Sequence, residues 1–414
     1  MSEESAFRYL TDDVEPVAGV IKTEPEDFVV EEVPLYNVSG RGDHTVLMIE
    51  KRRMTTFEVI SKLAQALGKR SESIGYAGLK DARAVTRQLL SIEGVSPDQV
   101  QAVSIPGLQV LWAERHENKL KIGHLRGNRF RIRIRKVRSR DFSSCKKTLE
   151  RLERQGVPNF FGRQRFGAKA NSHLLGAALL RGNPQLFTDR LMTSGISSEY
   201  GFIREARELY RQGDFVTSEE KVPSRYDTEK RVMRAVVQNG GVDEGVFWAL
   251  SKKMRRFFIS AYQSFLFNRY LAERLPTLNV LEDGDVAYLH RNGACFLVES
   301  ASSEQRRLDR FEISASGPIF GHKMLEAKGE PRKREDRLLE EEGLALDDFR
   351  RGDFGLRHAG ERRSLRFPIE LTEVRRFEGF FQLEFFLPKG CYATAVLEEV
   401  IKPGRREPWL PELA

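Results

Sequence analysis

The sequence predicts an α+β fold, and three stretches carry that prediction. In Arg126–Arg138, RGNRFRIRIRKVR, Phe130, Ile132 and Ile134 alternate with Arg129, Arg131, Arg133 and Arg135, the period of a strand with one packed and one charged face. Met254–Leu275 carries an apolar stripe through Phe258, Ala261, Phe265 and Leu271 at helical spacing. Strand alternation returns near the C-terminus, where Phe381, Leu383, Phe385 and Leu387 are interleaved with Gln382 and Glu384.

The elements between these follow in order. Val20–Val33, VIKTEPEDFVVEEV, is a proline-broken turn leading into a strand that starts at Phe28 and Val30, and Lys22 ahead of it reads as a solvated lysine. Gly40–Lys51 gives a glycine turn and a second strand. Phe57, Ile60, Leu63 and Leu67 then recur at helical spacing, with Thr55 and Glu58 as a capping box and Gly68 as the stop. Further strands are expected over Arg87–Ile92 and Leu108–Ala113. Ser144–Gln155 is an amphipathic helix with Leu149 and Leu152 inward, ended by Gly156. Gly317–Lys323 reads as a turn, and Glu326–Arg363 as a charged, solvated helix with flanking loops. Pro388–Gly390 makes a turn, and a helix from Tyr392 is stopped by Pro403.

At 414 residues the chain has room for two or three domains, and 40% hydrophobic content supports a buried core. Its 68 Lys and Arg against 60 Asp and Glu leave a net charge of +8, which favours anionic partners. The cations gather between Lys121 and Lys169, whereas residues 1–32 are acidic. Cys145, Cys295 and Cys391 lie far apart and the histidines are scattered, so no metal site is expected and a reducing, cytoplasmic setting fits. No apolar run approaches a membrane span, and the acidic N-terminus is unlike a signal peptide. Walker A, GxGxxG and HExxH motifs are absent, so no cofactor is expected.

The chemistry concentrates in Gly75–Gln88, GYAGLKDARAVTRQ, where Asp81 stands among Lys80, Arg83 and Arg87. Positive surroundings keep a carboxylate ionised and equally attract phosphate. Asp81 is then either a nucleophile or base, or the cap of a helix starting near Ala82. The arginines of Arg126–Arg138 are either a solvated face or a comb that binds phosphates through paired N–H groups. Phe130, by its place in a strand, is a core residue. Val157–Gly167, VPNFFGRQRFG, interleaves rings with cations, either to grip single-stranded or looped RNA or to hold a domain junction.

Gly78, Lys80, Asp81, Ala84, Thr86 and Gln88 match, without departure, a Gly-x-Lys-Asp-x-x-Ala-x-Thr-x-Gln signature. Lys22-x-x-Pro-Glu-Asp-Phe-x-Val precedes it, and Gly127-Asn128-x-Phe130, the Pro158–Gly167 segment, Ser260–Asn268 and Leu387–Thr394 follow it along the chain. Together these segments resemble the TruD family of pseudouridine synthases over nearly the whole chain. The resemblance implies a mixed-sheet catalytic domain from residues 1–156 and 364–414, interrupted by an inserted α/β TRUD domain at 157–363. It further implies a V-shaped, monomeric molecule with a basic cleft for tRNA, isomerising a flipped-out uridine without a cofactor.

Uridine 13 of tRNA is the target the resemblance favours, with other tRNA or RNA sites left open. It implies Asp81 as the catalytic carboxylate and Lys22 as its partner, Phe130 stacking on the base, and Asn128 near the aspartate. Lys80, Arg131, Arg133, Arg165 and Phe166 are the further substrate contacts expected. A non-catalytic RNA-binding or chaperone protein is the reading from another class. A carboxylate at the centre of a cationic site adds nothing to phosphate binding, which argues against it.

Overall fold

Eight strands form one mixed sheet in the unit built from Tyr9–Val157 and the chain from Phe367 onward. They are β1 (Phe28–Pro34), β2 (His44–Arg52), β3 (Ile74–Tyr76), β4 (Val85–Glu93), β5 (Leu108–His116), β6 (Leu125–Arg135) and a C-terminal hairpin of Glu370–Phe377 and Phe380–Pro388. The order across the sheet is Glu370–Phe377, Phe380–Pro388, β6, β1, β4, β2, β5, with β3 paired to β4. β1 and β4 run parallel and the other pairs antiparallel. The computed structural model describes residues 9–167, 169–193, 201–349 and 357–403.

Strand registers decide what each face carries, because directly paired residues share a face. Phe28, Val30 and Glu32 of β1 stand opposite Ile132, Phe130 and Asn128 of β6. Val30 also pairs with Thr86, and Lys51 with Thr86 from the far side. The same face continues through Phe385 and Leu387 of the hairpin. Two apolar blocks cover it. The helices Phe142–Gln155 and Ala393–Ile401 set Leu149, Leu152, Val396 and Val400 on Phe130, Ile132, Ile134, Phe381, Leu383 and Phe385. Helix α1 (Thr56–Ala66) sets Val59, Ile60 and Leu63 on Leu47, Ile49, Leu90 and Ile92.

Between the blocks runs a strip of buried polar residues: Glu32, Lys51, Thr86 and Gln88. α1 begins with the expected capping box, Thr55 accepting from the Glu58 N–H and Glu58 from the Thr55 N–H. Phe57, expected inward, is instead exposed, and the buried stripe is Thr56, Val59, Ile60, Leu63 and Ala64. The helix is turned that way because the Thr56 hydroxyl bonds Gln88 in the polar strip at 3.0 Å.

The unit Pro158–Arg366 is mostly helical. Its long helix Lys252–Arg274 buries Phe258, Ala261, Leu266 and Leu271, with Leu175, Ala178 and Leu179 of the helix Ser172–Leu180 packed against Phe258 and Ile259. A four-stranded sheet of Glu361–Ser364, Ile313–Ile319, Val286–Leu289 and Cys295–Leu297 accompanies it. Gly317–Ile319, expected as part of a turn, is strand, paired with Glu361–Arg363. The partner lies far downstream, so no local pattern announces it. Within the charged stretch, Gly329–Glu341 is helical, and residues 350–356 lie outside the described residues. Among the described residues no helix is long and apolar enough to cross a membrane.

Gly127 lets β6 approach the hairpin: a Cβ there would lie 2.2 Å from the Leu387 carbonyl oxygen and 2.5 Å from the Phe386 ring. Gly127→Ala is therefore expected to destabilise the fold by about 1–3 kcal/mol, the usual cost of overpacking. Urea unfolding measures it, and a midpoint equal to wild type would contradict this account of the contact.

Candidate active site

Asp81 lies on the loop between β3 and β4, and no helix follows it. The helix-cap reading therefore falls away. Its Oδ1 accepts the Arg83 N–H at 3.0 Å, an Asx turn that fixes the carboxylate against its own backbone. Its Oδ2 accepts from the Lys22 ammonium. Lys22 Nζ also sits 4.6 Å from the centre of the Phe28 ring, on the same sheet face as Phe130 and Asn128. Lys22 has φ 55°, a left-handed conformation that costs a non-glycine residue about 1–3 kcal/mol. That backbone belongs to the residue whose side chain reaches the carboxylate.

The Asp81 side chain remains 41% exposed, so a ligand can reach it. Partial burial alone would raise its pKa. The hydrogen bond and charge of Lys22, the Arg83 N–H and the charge of Lys51 outweigh burial and hold the carboxyl below its ordinary value. The net result is an ionised, reachable carboxylate.

Lys51 was not foreseen. It is fully buried, and its ammonium donates to the Met54 carbonyl and, at 2.9 Å, to the Asp81 carbonyl. Burial lowers its pKa to about 8, against the pull of the Asp81 charge and with the push of Lys80. Lys51 thus pins the Asp81 backbone while the other lysine holds the side chain. The signal was present, since Lys51 shares the inward register of Leu47 and Ile49 along β2.

Lys80 meets Glu32, not a phosphate. Their ion pair, at 2.6 Å, is almost wholly buried. Burial raises the Glu32 carboxyl and Lys80 opposes the rise. A buried cation that gave up this partner would strand Glu32 as an unpaired charge, so Lys80 is a support of the loop. Its own N–H donates to the Thr56 hydroxyl at 3.0 Å, tying the loop to α1. Like Lys51, Glu32 follows the inward register, here of Phe28 and Val30.

Asn128 lies across from Glu32, and its Oδ1 is buried without a hydrogen-bond partner. Phe130 is only 7% exposed, with its ring stacked on Phe385 at 5.5 Å and edge-on to Phe28 at 6.1 Å. Buried to this extent and stacked on Phe385, it does not present an open stacking face. Arg131 and Arg133 point from the other side of β6 and belong to the opposite sheet face. There Arg87 pairs with Glu31 and Glu50, Arg129 with Glu31, and Arg133 with Gln382. One strand cannot aim Phe130 and Arg131 at the same ligand atom.

In the other unit, Arg165 donates to Ser260 and, at 3.0 Å, to Ser264. Phe166 is buried edge-on against His173, so its ring offers no stacking face. Both are packing contacts: Arg165 anchors the segment onto the helix Lys252–Arg274 and Phe166 onto the helix Ser172–Leu180.

Comparison with known proteins adds an independent line. A family model described as tRNA pseudouridine synthase D (TruD) matches residues 5–400. A protein of Geotalea daltonii named tRNA pseudouridine synthase D is 45% identical over 394 residues, covering 95% of this chain and 99% of its own. Its namesake in Geobacter metallireducens is 45% identical over 398 residues, covering 96% and 98%. A crystal structure of a candidate tRNA pseudouridine synthase D from Methanosarcina mazei superposes with a TM-score of 0.86 at 28% identity, over 97% of each chain.

The lowered pKa of Lys51 carries a sign. Below about 8 both folded and unfolded chains hold the proton, and the burial cost is present in full. Between about 8 and the ordinary 10.5 only the unfolded chain holds it, so this group makes stability rise with pH across that window. In urea unfolding, the stability of Lys51→Met relative to wild type should therefore fall as pH climbs through it. A difference independent of pH would contradict the assignment.

Proposed function

Because the chain belongs to the TruD family of tRNA pseudouridine synthases, we propose that it isomerises a flipped-out uridine of tRNA, uridine 13 before others, with Asp81 as the essential carboxylate. The observation that carries this reading is the Asp81 site itself: a reachable carboxylate, kept ionised by Lys22, on a loop held from beneath by Lys51 and the buried Lys80–Glu32 pair. Such a group serves as nucleophile or base.

In the reaction the N1–C1′ bond breaks and a C5–C1′ bond forms, while N1 gains a proton and C5 loses one. Nothing enters or leaves overall. The protein's task is positioning and proton transfer at a base taken out of its stack, at a cost of about a few kcal/mol. Phe130 serves as part of an apolar floor with Phe28, the ring over which Lys22 Nζ sits. The unpartnered Asn128 Oδ1 is an acceptor suited to the N3–H of uracil. The catalytic role falls to residues 1–156 and 364–414, supported by the way both ends of the chain supply strands to one sheet, and the inserted residues 157–363 take the remaining RNA. The setting is the cytoplasm.

Asp81→Ala and Asp81→Asn should each abolish turnover while leaving tRNA affinity within a few-fold. Unmodified tRNA is incubated with each protein, and pseudouridine is mapped by chemical labelling and reverse-transcription stops. A single wild-type signal at uridine 13, absent with both variants, is expected. Turnover by either variant, or wild-type modification only at another position, would overturn the corresponding part of the reading.

A further inference from the structure

Beyond Glu32 and Asn128 three chain segments leave the sheet side by side and form a surface that the proposed chemistry does not use. β1 continues into Leu35 and Tyr36, the approach to β6 passes through Lys121–His124, and the hairpin runs on into Lys389. Lys389 Nζ donates to the Gly123 carbonyl at 3.2 Å, its N–H donates to the Arg126 carbonyl at 3.1 Å, and the Gly123 N–H donates to the Ala77 carbonyl at 2.8 Å. Ala77 begins the loop that carries Asp81. Four residues of extended chain span at most about 14 Å, so this surface lies close to the reacting base.

Three rings are assembled there. Tyr36 stacks on His116 with centroids 5.4 Å apart and planes 20° apart, and meets His124 edge-on at 5.8 Å. Its hydroxyl is 2.8 Å from His124 Nδ1, and the His116 Nδ1 is 3.2 Å from the Ser39 hydroxyl, so the group is held by polar bonds as well as contact. Yet Tyr36 is 36% exposed, and beside it Ile122 is 76% exposed. Lys121 and Lys389 are exposed in the same neighbourhood, while Arg41 is turned aside to Glu117. An exposed Tyr36 ring, backed by the buried His116, and an open aliphatic among cations suit unpaired nucleotides, whose bases stack on rings and whose phosphates meet lysines.

We propose that the Tyr36–His116–His124 cluster, with Ile122, Lys121 and Lys389, holds unpaired nucleotides of the RNA that flank the target uridine. The inference rests on the chain acting on RNA, and deepens it by locating where the strand runs after leaving Asp81. Flanking nucleotides fixed here would keep the flipped base from returning to its stack.

The test uses the full-length protein and unmodified tRNA, with affinity read by fluorescence anisotropy over a salt series. Tyr36→Ala is expected to weaken binding roughly five- to a hundredfold, the range for one lost base stack. Ile122→Asp, at a position too exposed to support folding, should weaken it similarly. The double variant Lys121→Ala with Lys389→Ala should flatten the salt slope by about 1.4–1.8, for two lost phosphate contacts. Should Tyr36→Ala fail to fold, the other two decide. Wild-type affinity and an unchanged slope in these variants would overturn the inference. Failure of the proposed reaction is told apart by wild-type protein that binds tRNA at this surface and forms no pseudouridine.

Discussion

The structure depends on β6 being clamped between β1 and the C-terminal hairpin. That position joins the two ends of the chain in one sheet, and the period-two alternation of β6 then has nowhere to slip. One side of the strand must carry Asn128, Phe130 and Ile132 toward the helices, and the other Arg129, Arg131 and Arg133 toward solvent. A shift of one residue would bury three arginines and expose the core. The face beside which Asp81 and Lys22 meet is therefore chosen by the packing of residues remote from them in sequence.

On that face the fold leaves a gap between two apolar blocks and fills it with charge. Burying Lys51, Lys80 and Glu32 is costly, and each cost is offset by partners: backbone carbonyls for Lys51, and an ion pair for Lys80 and Glu32. Asp81 stands above them, half in water. Its loop is held through its backbone, by Lys51 at Asp81 itself and by Thr56 at Lys80, which leaves the carboxylate to Lys22 and to a ligand. The rigidity is placed under the carboxylate and not on it, as the proposed role in a preorganised site requires.

Much of this was legible in the sequence. The Thr55–Glu58 box, the Gly156 stop, the strand around Phe130 and the pairing of Lys22 with Asp81 all follow from local pattern or motif, and local patterns are what a single sequence displays. What escaped were pairings between distant segments. Lys80 was read as a phosphate contact because its neighbours are cationic, but its partner Glu32 comes from another strand. Gly317–Ile319 looked like a turn because its partner strand begins only at Glu361. Arg131 and Phe130 were both placed at the substrate, although their alternation already separated them. Lys51 and Glu32 could have been found by extending the inward register of their strands through the charged residues.

The central claim is that Asp81 is kept ionised against its own burial by Lys22. It is tested most directly by an NMR titration of the Asp81 carboxyl carbon in wild-type protein and in Lys22→Ala. The wild-type group should titrate below the ordinary aspartate value, and the variant distinctly higher, because burial would then be opposed only by the Arg83 N–H and Lys51. Equal titration midpoints in the two proteins would contradict the account.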